Sequence, residues 1–207
     1  MLIKNLLRIV KSYKLSLITI IFYEIIYLLK GFKGNKFHIS KNQKMTNNFP
    51  CPYYFLIKIE KTLKKNNFNT FIDLGCGSGR VIDFFNKKFK DKKFIGIDYF
   101  FKHCVFCKKI FKNDTNIQVI QSDFTQLNLN NYNADCFFFN DPISNKEESV
   151  NFLKRIKNSE RLKKNSIFIF VNCDKKLLNS FNEVECITSY YINNTKGYSI
   201  YQFGKQE

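Results

Sequence analysis

The stretch that most limits what this chain can fold into is residues 71–80, FIDLGCGSGR. Its first half is apolar apart from one aspartate, which is typical of a buried strand, and three glycines then follow at alternate positions. After the glycines, apolar residues recur at helical spacing between positions 81 and 85. A strand, a glycine-rich turn and a helix in this order present backbone to a ligand at the carboxyl end of a strand.

The composition is that of a globular chain with an unusual charge. The 207 residues are 44% hydrophobic, which is enough for one packed domain and an extension. The formal net charge is +17, but only four of the 34 basic residues are arginine and the lysines are spread evenly. Because such a spread is typical of a compositional bias, we discount the charge as evidence for a particular partner.

The seven cysteines favour reduced thiols. Their number is odd, and Cys76, Cys136 and Cys173 lie in or beside expected buried strands. Such thiols act as small apolar side chains and do not indicate a disulfide framework. We therefore expect a reducing, cytoplasmic compartment.

The N-terminal segment is basic and then apolar. Residues 1–14 have an amphipathic pattern, and residues 15–29 are nearly all apolar between two lysines, with Glu24 inside the run. As a helix, this run would be about 22 Å long, against about 30 Å for a bilayer core. Three interpretations remain open: a short membrane anchor, a helix in the membrane interface, or a helix packed on the domain. We prefer peripheral membrane contact through residues 1–30 to a spanning helix.

Residues 31–50 are polar and irregular, which predicts a linker or flap. We therefore divide the chain into an N-terminal helical extension, 1–50, and a main domain, 51–207. Within the domain, strand and helix patterns alternate, which is typical of a Rossmann-like, mostly parallel sheet with helices on both faces. The predicted strands are 70–74, 93–98, 117–121, 134–140 and 166–172, and the predicted helices are 53–65, 79–90, 100–112, 146–160 and 174–181.

The end of the chain has a different pattern. Two strand-like runs, 183–191 and 197–203, are joined around Asn193, Asn194 and Gly197. Two such runs and a short turn predict an antiparallel hairpin, which brings the sheet to seven strands.

The spacing of the glycines distinguishes two kinds of nucleotide site. A dinucleotide fingerprint would place its third glycine where Arg80 stands. The observed pattern, an acidic residue followed by three alternate glycines, resembles the first motif of class I S-adenosylmethionine-dependent methyltransferases. The resemblance covers about residues 50–207. It implies that the methionine half of the cofactor is surrounded by Asp73, Gly75, Cys76, Gly77 and Gly79.

Two further carboxylates end the next two strands. Asp98 lies 19 residues beyond Gly79, where a carboxylate can accept both ribose hydroxyls of a nucleoside. Asp123 ends the third strand and resembles the family's adenine site, although it could instead cap a helix. The resemblance thus adds four cofactor-binding candidates, Asp98, Tyr99, Asp123 and Phe124.

The fourth strand ends in Asn140-Asp141-Pro142-Ile143, at the corner that faces the transferred methyl group. Relatives that methylate amines carry Asn or Asp, two prolines and an aromatic residue there, so the pattern is half present. Asn140 could orient a nucleophile and Asp141 could accept a proton, which makes them the catalytic candidates. A turn-stabilising role is an equal alternative.

The histidines and cysteines do not predict a metal centre. His103-Cys104-x-x-Cys107 has no second ligand pair nearby, and it lies in a predicted helix. We therefore expect the two cysteines to share a buried helix face.

Within the superfamily, the chain is similar to small bacterial methyltransferases and to membrane-attached protein-lysine methyltransferases, which carry an apolar N-terminal segment. Arg80 and the run Phe49-Pro50-Cys51-Pro52 support that similarity. It implies methyl transfer to a small molecule or protein, with an amine or a protein lysine as first candidate. The alternatives are an RNA or DNA methyltransferase, for which no nucleic-acid-binding module is evident, and an inactive cofactor-binding adaptor at a membrane.

Overall fold

The computed structural model describes residues 17–32, 50–140, 146–158, 166–174, 178 and 184–203. The helices are α1 (Leu17–Leu29), α2 (Tyr53–Leu63), α3 (Arg80–Lys88), α4 (Phe101–Ile110) and α5 (Lys146–Asn158), with a short 3₁₀ turn at Leu129–Asn131. The strands are β1 (Thr70–Leu74), β2 (Lys93–Asp98), β3 (Ile117–Gln121), β4 (Cys136–Asn140), β5 (Ile167–Val171), β6 (Glu185–Asn193) and β7 (Lys196–Gln202).

The strands form one seven-stranded sheet in the order β3-β2-β1-β4-β5-β7-β6. The first five strands in this order are parallel, and β7 pairs antiparallel with both β5 and β6. The predicted Rossmann-like sheet with a C-terminal hairpin is therefore confirmed. Because β1 lies between β2 and β4, the carboxyl ends of these three strands meet at one edge, where the glycine turn begins.

The central strands are apolar on both faces because each face has its own core. Phe71 and Phe138 belong to one cluster of buried side chains, whereas Ile72 and Phe137 belong to the other. Successive residues of a strand point to opposite faces, so an unbroken apolar run serves both cores. This is why β4 can hold three consecutive phenylalanines, one of which stacks on Phe168 with ring centroids 4.9 Å apart.

The hairpin turn lies between the two predicted strands. Asn194 and Thr195 form the turn, and the Asn193 side chain accepts hydrogen bonds from the amides of Thr195 and Lys196 at 3.0 and 2.9 Å. Gly197, predicted beside the turn as the first residue of the last strand, pairs within β7. A side chain there would collide with the Tyr190 carbonyl, so close strand packing requires this glycine.

Some predicted segments lie outside the described residues. These are residues 1–16, most of the flap at 31–50 and most of the helix at 174–181. Within the described ranges, no helix is both long enough and apolar enough to cross a bilayer.

Helix α1 is attached to the domain by a buried ion pair. The Glu24 carboxylate is 2% exposed and accepts from Arg80 Nη1 at 2.8 and 3.1 Å and from the Tyr53 amide at 2.9 Å. The Arg80 guanidinium also lies 4.6 Å from the centre of the Tyr53 ring. On the same side of α1, the Tyr27 ring stacks on Tyr53 at 4.6 Å. The first residue of α3 is thus linked to a helix 56 positions earlier.

Replacing the carboxylate of Glu24 should destabilise the whole domain. In Glu24→Gln the Arg80 cation keeps its burial but loses its counter-charge, and we expect the free energy of unfolding to fall by about 3 kcal/mol. Denaturant unfolding followed by circular dichroism measures this change. The matched variant Glu185→Gln, at an exposed position, should change stability by less than about 0.5 kcal/mol. Equal effects of the two variants would contradict the structural role of the ion pair.

Candidate active site

The turn that follows β1 is held against the end of β2. The amides of Gly75 and Cys76 both donate to the Ile97 carbonyl, at 2.8 and 3.0 Å, and the Gly79 amide donates to the Cys76 carbonyl at 2.9 Å. Gly75, Gly77 and Gly79 have φ angles of +81°, +54° and +79°. Because this left-handed region disfavours side chains, the alternate glycines allow the chain to turn directly from β1 into α3.

Two glycines also allow a close approach of secondary-structure elements. A Cβ atom on Gly79 would lie 2.7 Å from the Phe111 ring and 3.1 Å from Cys107 Sγ. A Cβ atom on Gly96 in β2 would lie 2.6 Å from Ile82 Cδ1 of α3. The turn, β2 and α3 are therefore packed at a distance that leaves no room for even a methyl group.

The Asp98 carboxylate, predicted to accept the ribose hydroxyls, is buried and already binds three protein groups. Its Oδ2 accepts from the Gly77 amide at 2.8 Å. Its Oδ1 accepts from the Phe100 amide at 2.8 Å and lies 3.0 Å from His103 Nδ1. A carboxylate can accept about four hydrogen bonds, so about one position remains for a ligand. Asp98 thus fixes the turn and the start of α4 in addition to its predicted ligand role.

The surroundings of Asp73, near the end of β1, favour the binding of a cationic group. It is 2% exposed, and its Oδ2 atom accepts no hydrogen bond within the described parts of the chain. Burial, and after it the nearby Asp98, raise the pKa of this carboxyl well above its ordinary value of 3.8. S-adenosylmethionine carries a sulfonium and an ammonium group, so the residues present fit this cofactor on the side of Asp73.

The thiols beneath the turn are neutral packing groups. Cys107 Sγ donates to the Gly77 carbonyl at 3.1 Å, and Cys104 Sγ donates to the Asp98 carbonyl at 3.5 Å. A hydrogen bond to Cys107 and burial raise the pKa of Cys76 well above 9.0, and burial raises that of Cys104 to about 11. All seven cysteines are thiols and not disulfides, and within the described ranges no three metal-ligating side chains come together.

The adenine-side candidates differ in their surroundings. Asp123 Oδ1 accepts from the amide and hydroxyl of Thr125 at 2.9 and 2.6 Å, within a turn and not at the start of a helix. Tyr99 is half-exposed beside Asp98. Phe124 is buried in the core, with its ring 5.3 Å from that of Phe152. The cofactor roles of Tyr99, Asp123 and Phe124 stay predictions.

At the carboxyl end of β4 the structure identifies a residue that the sequence reasoning missed. The Asn140 Oδ1 atom accepts from Asn172 Nδ2 at 2.9 Å. Asn172 follows β5, is buried, has a φ angle of +56° and donates its amide to the Gly197 carbonyl at 2.8 Å. A polar residue directly after the apolar β5 run was the available signal, because strand ends at this edge face the ligand. Asp141, the second catalytic candidate, lies outside the described residues.

A cavity of about 230 Å³ lies elsewhere, between residues 126–130 and α5. Its lining residues include none of the predicted cofactor or catalytic residues. The chemistry predicted for the chain is therefore centred on the strand ends and not on this cavity.

Comparisons with known proteins agree with this fold. Residues 71–162, from β1 to just beyond α5, match the family model described as a methyltransferase domain. A methyltransferase from Geobacter sulfurreducens has a TM-score of 0.59 at 14% identity, over 75% of this chain and 83% of that chain. The N-methyltransferase NodS from Bradyrhizobium japonicum, in complex with S-adenosyl-L-homocysteine, has a TM-score of 0.56 at 10% identity, over 72% and 83%. The methyltransferase domain of bacterial CtHen1 has a TM-score of 0.57 at 15% identity, over 72% and 96%.

A search of curated protein sequences found no match. At these identities the structural likenesses concern the fold. Together with the glycine turn and the match of residues 71–162 to the methyltransferase-domain model, they support the class I S-adenosylmethionine-dependent methyltransferase predicted from the sequence. The same family match indicates S-adenosylmethionine as the cofactor.

A side chain at Gly79 should be far more disruptive than one at another glycine with positive φ. Gly79→Ala combines backbone strain with a clash against Phe111, and we expect a loss of about 2–4 kcal/mol in the free energy of unfolding. Gly31→Ala has a similar φ of +66° but no atom within 4 Å, so we expect a loss of about 1 kcal/mol. Thermal or denaturant unfolding distinguishes the two, and equal losses would show that packing at Gly79 is unimportant.

The raised pKa of Asp73 predicts a dependence of stability on pH. A raised carboxyl pKa contributes stability below the ordinary value of 3.8, and this contribution is lost as pH rises through the folded-state pKa. Asp73→Asn without ligand should therefore gain stability over the wild type as pH rises from about 4 to about 8. Asp91→Asn, at an exposed carboxylate, should show no comparable gain. A wild-type minus Asp73→Asn difference that is flat with pH would contradict the assignment.

Proposed function

We propose that this protein transfers the methyl group of S-adenosylmethionine to an amine nitrogen, with a protein lysine as the first candidate acceptor. The observation that supports an amine is the fixed amide of Asn140 at the carboxyl end of β4, one strand away from the glycine turn. Both the acceptor class and the catalytic role of Asn140 belong to this proposal.

On the cofactor side, the chain would hold the ligand by backbone and carboxylates. Gly75, Gly77 and Gly79 leave the turn without side chains, so a ligand can approach its backbone. Asp73 offers a buried carboxylate oxygen to a cationic group, and Asp98 offers its remaining acceptor position to a ribose hydroxyl. When bound, S-adenosylmethionine supplies an already activated methyl group, so the protein's work is positioning and exclusion of water.

On the acceptor side, an amide suits an amine better than a carboxylate does. A nucleophilic amine must be uncharged, and a carboxylate next to it would favour the protonated form. The amide oxygen of Asn140 can accept the amine's N–H and direct its lone pair without adding a negative charge. Asn172 holds this amide in one orientation, so that it does not have to be ordered during the reaction. Asp141, the next residue, is the proposed acceptor of the proton that the nitrogen releases once it is methylated and positively charged.

The imidazole of His103 is not a candidate for the role of proton acceptor. His103 is buried and its Nδ1 atom lies 3.0 Å from Asp98 Oδ1, on the side of β2 and α4. Its position indicates that it supports the cofactor side of the site. The acceptor side, as far as it is described, is formed by the Asn140–Asn172 pair.

Transfer of a labelled methyl group tests the proposal. A cell lysate incubated with the enzyme and methyl-tritiated cofactor should gain label on protein, and mass spectrometry should locate it on lysine ε-amines. Asn140→Ala should lower kcat by at least about tenfold while calorimetric binding of S-adenosylhomocysteine stays unchanged. Asn67→Ala, at an exposed position, is the matched control and should match the wild type.

The same experiment separates the alternatives. Label in RNA or DNA would support a nucleic-acid methyltransferase and would overturn the amine proposal. Cofactor binding without any labelled product would support the inactive adaptor. Unchanged kcat in Asn140→Ala would remove this residue from the mechanism.

A further inference from the structure

Helix α1 is apolar on the side that faces away from the domain as well as on the side that packs against it. The inner side carries Ile20, Glu24 and Tyr27, all buried. The outer side carries four large exposed residues, with exposed fractions of 81% for Ile18, 59% for Phe22, 47% for Ile25 and 83% for Leu29. We call these four the outer stripe.

The geometry of the outer stripe is that of one continuous surface. At about 100° per residue, its four side chains fall within about 60° of one another around the helix axis. They are half of the eight large apolar side chains that are exposed in the described parts of the chain. Single exposed apolar residues are ordinary, but a contiguous row on one helix marks an interaction surface.

The charge around the outer stripe points to an anionic partner. The first 30 residues contain five basic side chains, Lys4, Arg8, Lys11, Lys14 and Lys30, and a single acidic one, Glu24. Glu24 is turned inward and is paired with Arg80, so it presents no negative charge at the outer side. Lys30 is exposed directly after the stripe, and its Nζ lies 4.8 Å from the centre of the Tyr27 ring. Basic residues are as frequent here as in the whole chain, so the asymmetry comes from the single, inward-turned acidic residue.

We propose that the outer stripe binds the surface of a membrane that contains anionic lipids. An apolar row flanked by lysines is the arrangement by which a helix lies in the interface, with its side chains among the acyl chains and its cations near the phosphates. The 13-residue helix is about 20 Å long and stays clamped to the domain by Glu24, so it lies along the bilayer surface. The domain itself then remains on the aqueous side.

Vesicle binding by the full-length chain tests this proposal. The probe is extruded vesicles of phosphatidylcholine alone or with about 30% phosphatidylserine. Because a single interfacial helix binds weakly, lipid is present in large excess over protein. The wild type should co-sediment with the anionic vesicles, and much less with the neutral ones or at high salt. The double variant Phe22→Ser/Ile25→Ser should lose at least about tenfold in vesicle affinity. Phe101→Ser/Val105→Ser, which removes two exposed apolar residues of α4, should bind vesicles like the wild type.

Two further measurements test whether another part of this chain, or a second copy of it, covers the outer stripe. The thermal midpoint of Phe22→Ser/Ile25→Ser should equal or exceed that of the wild type, because the stripe is exposed in the folded chain. A lower midpoint together with absent vesicle binding would show that another part of this chain covers the stripe. Sedimentation velocity that changes from dimer to monomer in the variant, without an effect on lipid binding, would show that a second copy covers it. Either result overturns the proposal, and neither depends on methyl transfer.

Discussion

The Asp98 carboxylate connects the glycine turn with the start of α4, which are separate in the sequence. It accepts hydrogen bonds from the backbone amides of Gly77 in the turn and of Phe100 before α4. It also lies 3.0 Å from the imidazole Nδ1 of His103, within that helix. Hydrogen bonds to a charged group contribute about 1.5–3 kcal/mol each, so this one side chain contributes substantially to the shape of the glycine turn. A ligand that approaches its remaining acceptor position therefore meets a carboxylate that is already oriented. The rest of the site depends on this preorganisation, because the turn has few other side chains of its own.

Most of the fold could be predicted from local patterns in the sequence. The strands β1, β4 and β5 are rich in apolar residues because both faces of the sheet are covered. The glycine turn was predictable because the backbone itself demands glycine at three alternate positions. The reason for a glycine at position 197 was not predictable, because it lies in close strand packing, which a local pattern does not distinguish from a turn.

Other parts of the site depend on contacts between distant residues. The Asn140–Asn172 pair joins positions 32 apart, and the Glu24–Arg80 pair joins positions 56 apart. Local periodicity carries no information about such pairings. Glu24 within an apolar run could indicate a membrane anchor or a buried ion pair, and only the position of Arg80 after the turn decides between them. Likewise, the burial of Asp73 without a hydrogen-bond partner for Oδ2 could not be read from an acidic residue at a strand end.

Glu24 also has a consequence for the rotation of α1 about its own axis. A helix that is apolar almost all round can pack by several faces at nearly the same free energy, so it has no preferred rotation. The single carboxylate removes this degeneracy, because turning the helix by one residue would move Glu24 away from Arg80 and bury a charge against apolar side chains. One ion pair thus selects one rotational setting out of several. The same pair that faces inward thereby determines which four residues face outward.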